Sequence, residues 1–258
     1  MKLIKLGILP TVLLTTLSIY AYNSQESANV AVDRSRPDFA QIGDIKEKKL
    51  TFFEYMLPMI RQANAATLAE RKSVQSLQKQ FAGNQKLDAA DQKLLEDLLD
   101  TYHVDVDNEI TQAHITELLN RCDIVPAALI LAQSANESAW GTSRFAVKAN
   151  NFFGLWCFQR GCGLTPKDRN DGASHEVAKF ESVNHGVRFY IKTINTNNAY
   201  EDLREIRADL REDNKAITGT TLAEGLLRYS ERGKAYVKEI QSMIRFNKLS
   251  RYNLNTQA

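Results

Sequence analysis

Cysteine is scarce in this chain, with three in 258 residues, and the three do not make a zinc-ligand set. A glycine-rich phosphate loop is also missing. Charge of one sign is lacking: 33 lysines and arginines stand against 31 acids, and the net charge of +2 gives no electrostatic case for nucleic acid. There is no internal repeat and no low-complexity tract, which excludes a repeat array. No cofactor motif is present, so no cofactor and no metal are expected, and no feature specifies an oligomer. What remains is ordinary for a soluble globular chain: 43% hydrophobic and 25% charged residues, long enough for one large domain with an appendage.

Long apolar runs are short here too. Lys2 and Lys5 precede an apolar stretch from Leu6 to Ala21. A positive segment followed by a modest apolar core is the pattern of a secretory signal. Ile19 departs from the small residue wanted before a cleavage site, so residues 1–22 read as a signal peptide or as an uncleaved inner-membrane anchor, although the run is short for a spanning helix. No cysteine follows it to take a lipid. Cys157 and Cys162 bracket a glycine turn, and export to an oxidising compartment predicts a disulfide between them. Cys122 reads as a buried thiol.

Residues 23–45 are polar and aperiodic and read as a linker. Residues 46–108 read as a helical extension. Phe53, Leu57 and Ile60 share one face, as do Val74, Leu77 and Phe81, and Pro58 predicts a kink or break. A second helix is expected over 87–102, started by Asp88 or Asp91. From about residue 109 to 250 a further domain follows. Pro126 suits the first turn of a helix whose next residues are apolar on every face, so this helix is expected to be central and buried, with Gly141 as its stop. The segment 170–172 (Asn-Asp-Gly) signals a turn between two short strands, and helical patterns return after His185.

Glu137 is the residue on which chemistry centres. It sits at the exit of the apolar helix, where partial desolvation favours the neutral carboxyl, as a glycosidic general acid requires. The alternative is an acid fraying into solvent at a helix end. Trp140, three residues on, offers an apolar wall or a sugar platform.

Leu131-Ala-Gln-Ser-Ala-Asn-Glu137-Ser-Ala-Trp-Gly141, followed by Asn151-Phe-Phe-Gly154, resembles the signature of the glucosaminidase domain family, glycoside hydrolase family 73. The segment from Tyr229 to Tyr236 resembles its second signature, with Glu231 in place of the usual Asp and one residue inserted. The Trp-Cys-Phe-x-x-Gly-Cys-Gly loop and the helical N-terminal part look like the Bax-like branch. The resemblance implies an α+β, mostly α, lysozyme-like fold with a helical lobe facing a small β-hairpin lobe. It implies cleavage of β-1,4 bonds after N-acetylglucosamine in peptidoglycan glycan strands, with Glu137 as acid. The second carboxylate would come from the hairpin, where Glu176 and Asp168 are the candidates. Tyr229 is a further catalytic candidate. Trp140, Asn151, Phe153, His175 and Tyr236 are candidate substrate-binding residues. A lytic transglycosylase-type enzyme and a non-catalytic wall-binding scaffold are the competing readings.

Overall fold

The structure, a computed structural model, describes residues 35–83, 87–166 and 175–253. The segment 1–22 and the turn expected at 170–172 lie outside the described residues. From Arg36 on, the described residues belong to one compact unit. It is mostly helical with one small antiparallel sheet, an α+β arrangement weighted heavily to α.

The long helix α1 (Ile45–Ala82) is the spine. Asp44 caps its start by accepting from the Glu47 N–H at 2.8 Å. Apolar residues recur at three- and four-residue spacing along it, from Phe52, Met56 and Ile60 to Val74 and Leu77, and all five are buried. The helix continues through Pro58 without the expected break. A proline inside a helix costs about 3 kcal/mol. Full burial of side chains such as Met56, Met59 and Ile60 on the adjoining turns stabilises by about 1.5–3 kcal/mol each, enough to hold the helix through it.

Helix α2 (Ala89–Thr101) starts at Asp88, whose side chain accepts from the N–H groups of Ala90 and Asp91. It packs with the last turns of α1 and with α3 (Gln112–Arg121) around Val74, Leu77, Leu95, Leu98, Tyr102, Ile115 and Leu118. Cys122 closes this cluster as a buried free thiol.

Helix α4 (Ala127–Glu137) is central, and every residue from Ala127 to Ala135 is buried. Its entrance is held from two sides. The Asn64 carboxamide of α1 donates to the Val125 carbonyl and accepts from the Val125 N–H, at 2.8 and 3.1 Å. The Ala128 N–H at the helix start donates to Asn253 Oδ1 at 3.0 Å. Just before it, buried Asp123 accepts two hydrogen bonds from Arg211, at 2.8 and 2.9 Å, and one from the Ile124 N–H.

After α4 come α5 (Arg144–Ala149), β1 (Trp156–Cys157), β2 (Gly163–Leu164), β3 (Glu176–Ala178), α6 (Val183–Thr196), α7 (Glu201–Glu212), α8 (Gly219–Leu222) and α9 (Lys234–Phe246), with 3-10 turns at Asn198–Tyr200, Ala223–Leu226 and Leu249–Tyr252. The sheet has three strands in the order β1-β3-β2, both pairings antiparallel. Trp156 and Cys157 thus add an edge strand on β3 beside the β2–β3 pair. All three β3 residues are buried, so the alternation expected of a half-exposed strand is absent there.

Cys157 and Cys162 are bridged, with their Cα atoms 6.2 Å apart. The loop is short, so the chain-entropy model gives about 2 kcal/mol of stabilisation. Replacing both cysteines by serine is expected to lower the melting temperature by about 4–8 °C, converting that energy for a domain of this size. Scanning calorimetry checks this. A fall in the wild type of the same size on adding reductant, with none in the double variant, assigns the effect to the bridge.

The segment expected as linker is packed from Arg36 on. The Arg36 guanidinium donates to the Ala146 and Val147 carbonyls at 2.7 and 2.9 Å, and Phe39 is buried against Phe52 and Tyr55. Phe39 also covers Gly141: a Cβ there would lie 2.4 Å from its ring.

Candidate active site

Glu137 ends α4 as the helix emerges from the core, and it is only partly buried. The next turn is unusual. Ala139, Trp140 and Gly141 all have positive φ, at 49°, 58° and 79°. Two consecutive non-glycine residues in this region store strain that the surroundings must hold. Ser138 supplies part of the restraint, with its hydroxyl donating to the Ser134 carbonyl and accepting from the Gly141 N–H, at 2.6 and 2.8 Å. Trp140 supplies the rest. Its ring meets the edges of Phe52 and Phe53, both at 5.6 Å, and carries Lys49 Nζ over one face at 5.0 Å. Trp140 therefore pins the loop after the acid to α1.

Burial raises the Glu137 pKa above the ordinary carboxyl value. The Tyr236 hydroxyl, donating to Oε1 at 2.8 Å, opposes that rise, as does the Asn136 amide at 3.5 Å. The negative charge of Glu239 adds to the rise and the positive charge of Arg232 opposes it. These two form an ion pair with each other at 2.7 Å.

Behind Tyr236 the polar chain continues inward. Gln133 Nε2 donates to the Tyr236 hydroxyl at 2.9 Å, and the Tyr190 hydroxyl donates to Gln133 Oε1. Gln133, Tyr190 and Tyr236 are buried. Glu137 Oε2 faces Gly154, where a Cβ would stand 3.8 Å from it. Gly154 has φ +65°, so the bare backbone there serves both the turn and the open side of the carboxylate.

The other expected site residues fall into three groups. Asn151 and Phe153 lie within the scaffold beside the acid. The Asn151 amide donates to the Leu155 and Ala178 carbonyls, and its oxygen accepts from the N–H groups of Phe153 and Leu155, which uses its hydrogen-bonding capacity inside the protein. Phe153 is buried and stacks on Tyr190 with centroids 4.2 Å apart. Tyr229 and Tyr236 gather at the acid. Their rings stack at 5.3 Å, and Tyr229 donates to the Phe153 carbonyl at 2.7 Å. Burial raises both phenol pKa values, so each remains a neutral donor at working pH.

Glu176 opens β3 and His175 stands just before it. Glu176 is buried, and its oxygens accept from the Gly161 and Gly163 N–H groups at 3.1 and 2.8 Å, clamping the disulfide loop. His175 stacks on Trp156 with centroids 4.1 Å apart, while Trp156 remains more than half exposed. The Cys157 and Cys162 sulfurs lie near the Glu176 carboxylate, but bridged sulfurs offer no thiolate to a metal. Asp168 lies outside the described residues.

Gln133, Tyr190 and Gly154 were missed as site residues. Gln133 had a readable signal. It is a carboxamide that directly follows the apolar run 127–132, four residues before Glu137 and so on the same helix face.

A buried helix thus delivers a partly desolvated acid, backed by tyrosines and flanked by a small sheet. The glucosaminidase family, described as mannosyl-glycoprotein endo-beta-N-acetylglucosaminidase, matches residues 112–249, and the chain belongs to that family. Protein bax of Escherichia coli (strain K12) is 32% identical over 221 residues, covering 86% of this chain and 77% of its own length. No solved structure matches the chain. The family supports a peptidoglycan-related glycosidase, and a domain of this kind with a disulfide fits an exported protein. Among the described residues, no helix is long and apolar enough to cross a membrane.

Proposed function

We propose that the protein is an exported hydrolase that cleaves peptidoglycan glycan strands at the β-1,4 bond after N-acetylglucosamine, with Glu137 as general acid. The observation that carries this is the Glu137 carboxyl itself, desolvated at the end of a buried helix and held through one oxygen by Tyr236. The acid protonates the leaving glycosidic oxygen as the sugar ring takes on positive charge. Tyr229 and Tyr236 line the acid's flank, their hydroxyl protons committed to the Phe153 carbonyl and to Glu137 Oε1. The exposed face of Trp156, backed by His175, is suited to the apolar face of a sugar ring.

The clamp on Glu176 favours a role in shaping the β lobe over direct attack. Asp168, or the substrate's own acetamido group, then takes the part opposite Glu137. Export through residues 1–22 follows the signal pattern, and those residues serve as a removed signal or as a tether to the inner membrane.

A general acid must be protonated, so the rate falls as pH rises through its pKa. With the Glu137 pKa raised by burial, the alkaline limb of kcat/KM is expected above the pH at which a solvent-exposed carboxylic acid would lose its proton. Glycan cleavage measured from pH 4 to 9 tests this (about five units bracket the ordinary carboxyl range). A limb at the exposed-acid position removes the support from burial. Binding to sacculi without any cleavage at any pH would identify a wall-binding scaffold instead.

A further inference from the structure

We infer that Tyr190 and Gln133 are positioning residues that direct the acid proton of Glu137 onto Oε2, the oxygen facing Gly154. The inference rests on the reading of Glu137 as the general acid and adds how its proton is aimed.

The argument is one of donor and acceptor counting. A charged carboxylate only accepts hydrogen bonds. Tyr236 donates to Glu137 Oε1, so its hydroxyl proton is committed and its lone pair takes the Gln133 Nε2 proton. With its amide turned that way, Gln133 presents Oε1 to Tyr190, and the Tyr190 hydroxyl donates to it. The three bonds run in one direction, from Tyr190 on α6 through Gln133 on α4 to Tyr236 on α9.

Protonating Oε2 leaves this order intact, because Oε1 goes on accepting. Protonating Oε1 reverses it. Tyr236 would have to accept, Gln133 would have to turn its amide over, and Tyr190 would have to exchange donation for acceptance. All three side chains are buried, and Phe153 stacks on the Tyr190 ring, so the reversal meets packed surroundings. Oε2 lies beside Gly154, where the absent side chain leaves room for a leaving oxygen. The proton is thereby kept on the oxygen with room for a reacting bond.

Other charges around Glu137 do not supply this bias. Glu239 on α9 and Arg232 just before it act on the carboxyl as a whole, and Tyr229 donates to the Phe153 carbonyl. The Asn136 amide donates to the same Oε1 at 3.5 Å and adds a weaker push in the same direction.

Tyr190→Phe removes one oxygen and the lock on the Gln133 amide. Oε1 can then carry the proton, which stabilises the neutral acid while turning part of its protons away from the substrate. In the full chain labelled with 13C at glutamate Cδ, and with Glu137 assigned through Glu137→Gln, the Glu137 titration is expected to move to higher pH. The alkaline limb of the glycan-cleavage profile moves up with it. With the bias gone the share of protons on Oε2 falls toward one half, so kcat is expected to fall by about twofold, with KM unchanged.

Gln133→Met is expected to move the titration and the limb the same way, and it carries the test should Tyr190→Phe fail to fold. A Glu137 titration and pH profile at their wild-type positions in a folded variant would overturn the inference. A wild-type protein that cleaves no glycan would overturn the proposed function, while the titration would still decide the direction of the relay.

Discussion

Glu137→Gln is expected to lower glycan cleavage by about 10²–10⁴-fold, the range that a positioned general acid supplies. Glutamine keeps the shape of the side chain and can still accept from the Tyr236 hydroxyl, so the loss falls on proton donation and not on the site's architecture. KM should change little. Stability gives a second signature. The folded-state pKa of Glu137 is raised, so the native protein binds more protons than the unfolded chain over the interval between the ordinary carboxyl pKa and the raised one. Stability therefore falls as pH rises through that interval. The neutral glutamine removes this cost, and Glu137→Gln should melt no lower than wild type at pH 7. Loss of activity together with a large fall in melting temperature would point to a structural role for the carboxylate instead.

Asp123→Ala is expected to give the largest loss of stability, about 3–5 kcal/mol, because it removes one side of a buried ionic cluster. Asp123 is 2% exposed and holds Arg211 through two hydrogen bonds, with Arg71 at 3.5 Å. Arg207 lies fully buried beside it and donates to the carbonyls of Asp123, Ile124 and Asn120 and to Asn195 Oδ1. Burial pulls the Arg207 pKa down to about 10, and Asp123 opposes that fall. Burial alone would raise the Asp123 pKa, but the Arg211 hydrogen bonds and the charges of Arg207 and Arg71 outweigh it and hold the carboxyl below its ordinary value.

The sign follows for a depressed acid. The contribution is complete above the unfolded aspartate pKa and is lost as pH falls through the folded one. The variant should therefore melt about 6–20 °C lower than wild type at pH 7, converting the energy for a domain of this size. The difference should shrink as the pH falls below the aspartate range. Calorimetry across that range checks both the size and the sign. A pH-independent difference would assign the loss to packing.

The cluster also bears on the site, since it fixes the chain just before α4, the helix that carries Glu137. Local chemistry made that helix legible in the sequence: Pro126 at its start and an unbroken apolar run after it. The Asp88 cap and the Cys157–Cys162 bridge were legible for the same reason, because each depends on residues close in the chain. Asn151 and Phe153 stand in a signature beside the acid, which makes them candidate substrate-binding residues in the sequence. Their directions are set by partners about 25–40 positions away, the Ala178 carbonyl and the Tyr190 ring, and one strand of sequence does not name such partners. The packing of Phe39 on Gly141 was hidden in the same way, as was the Glu176 clamp on the disulfide loop. Pro58 was read correctly as unfavourable to a helix, but the burial of the turns on both sides of it outweighed that local penalty.

The central claim is that this chain cuts glycan strands after N-acetylglucosamine with Glu137 as acid. Its most direct test is the chemistry of the ends it makes. Purified peptidoglycan is incubated with the intact protein, reduced with borohydride, digested and analysed by mass spectrometry. New reduced glucosaminitol ends, present with wild type and absent with Glu137→Gln, are the predicted result. Anhydro-muramyl ends would contradict the hydrolytic reaction in favour of a lytic transglycosylase, and unchanged glycan from the folded wild type would contradict the claim as a whole.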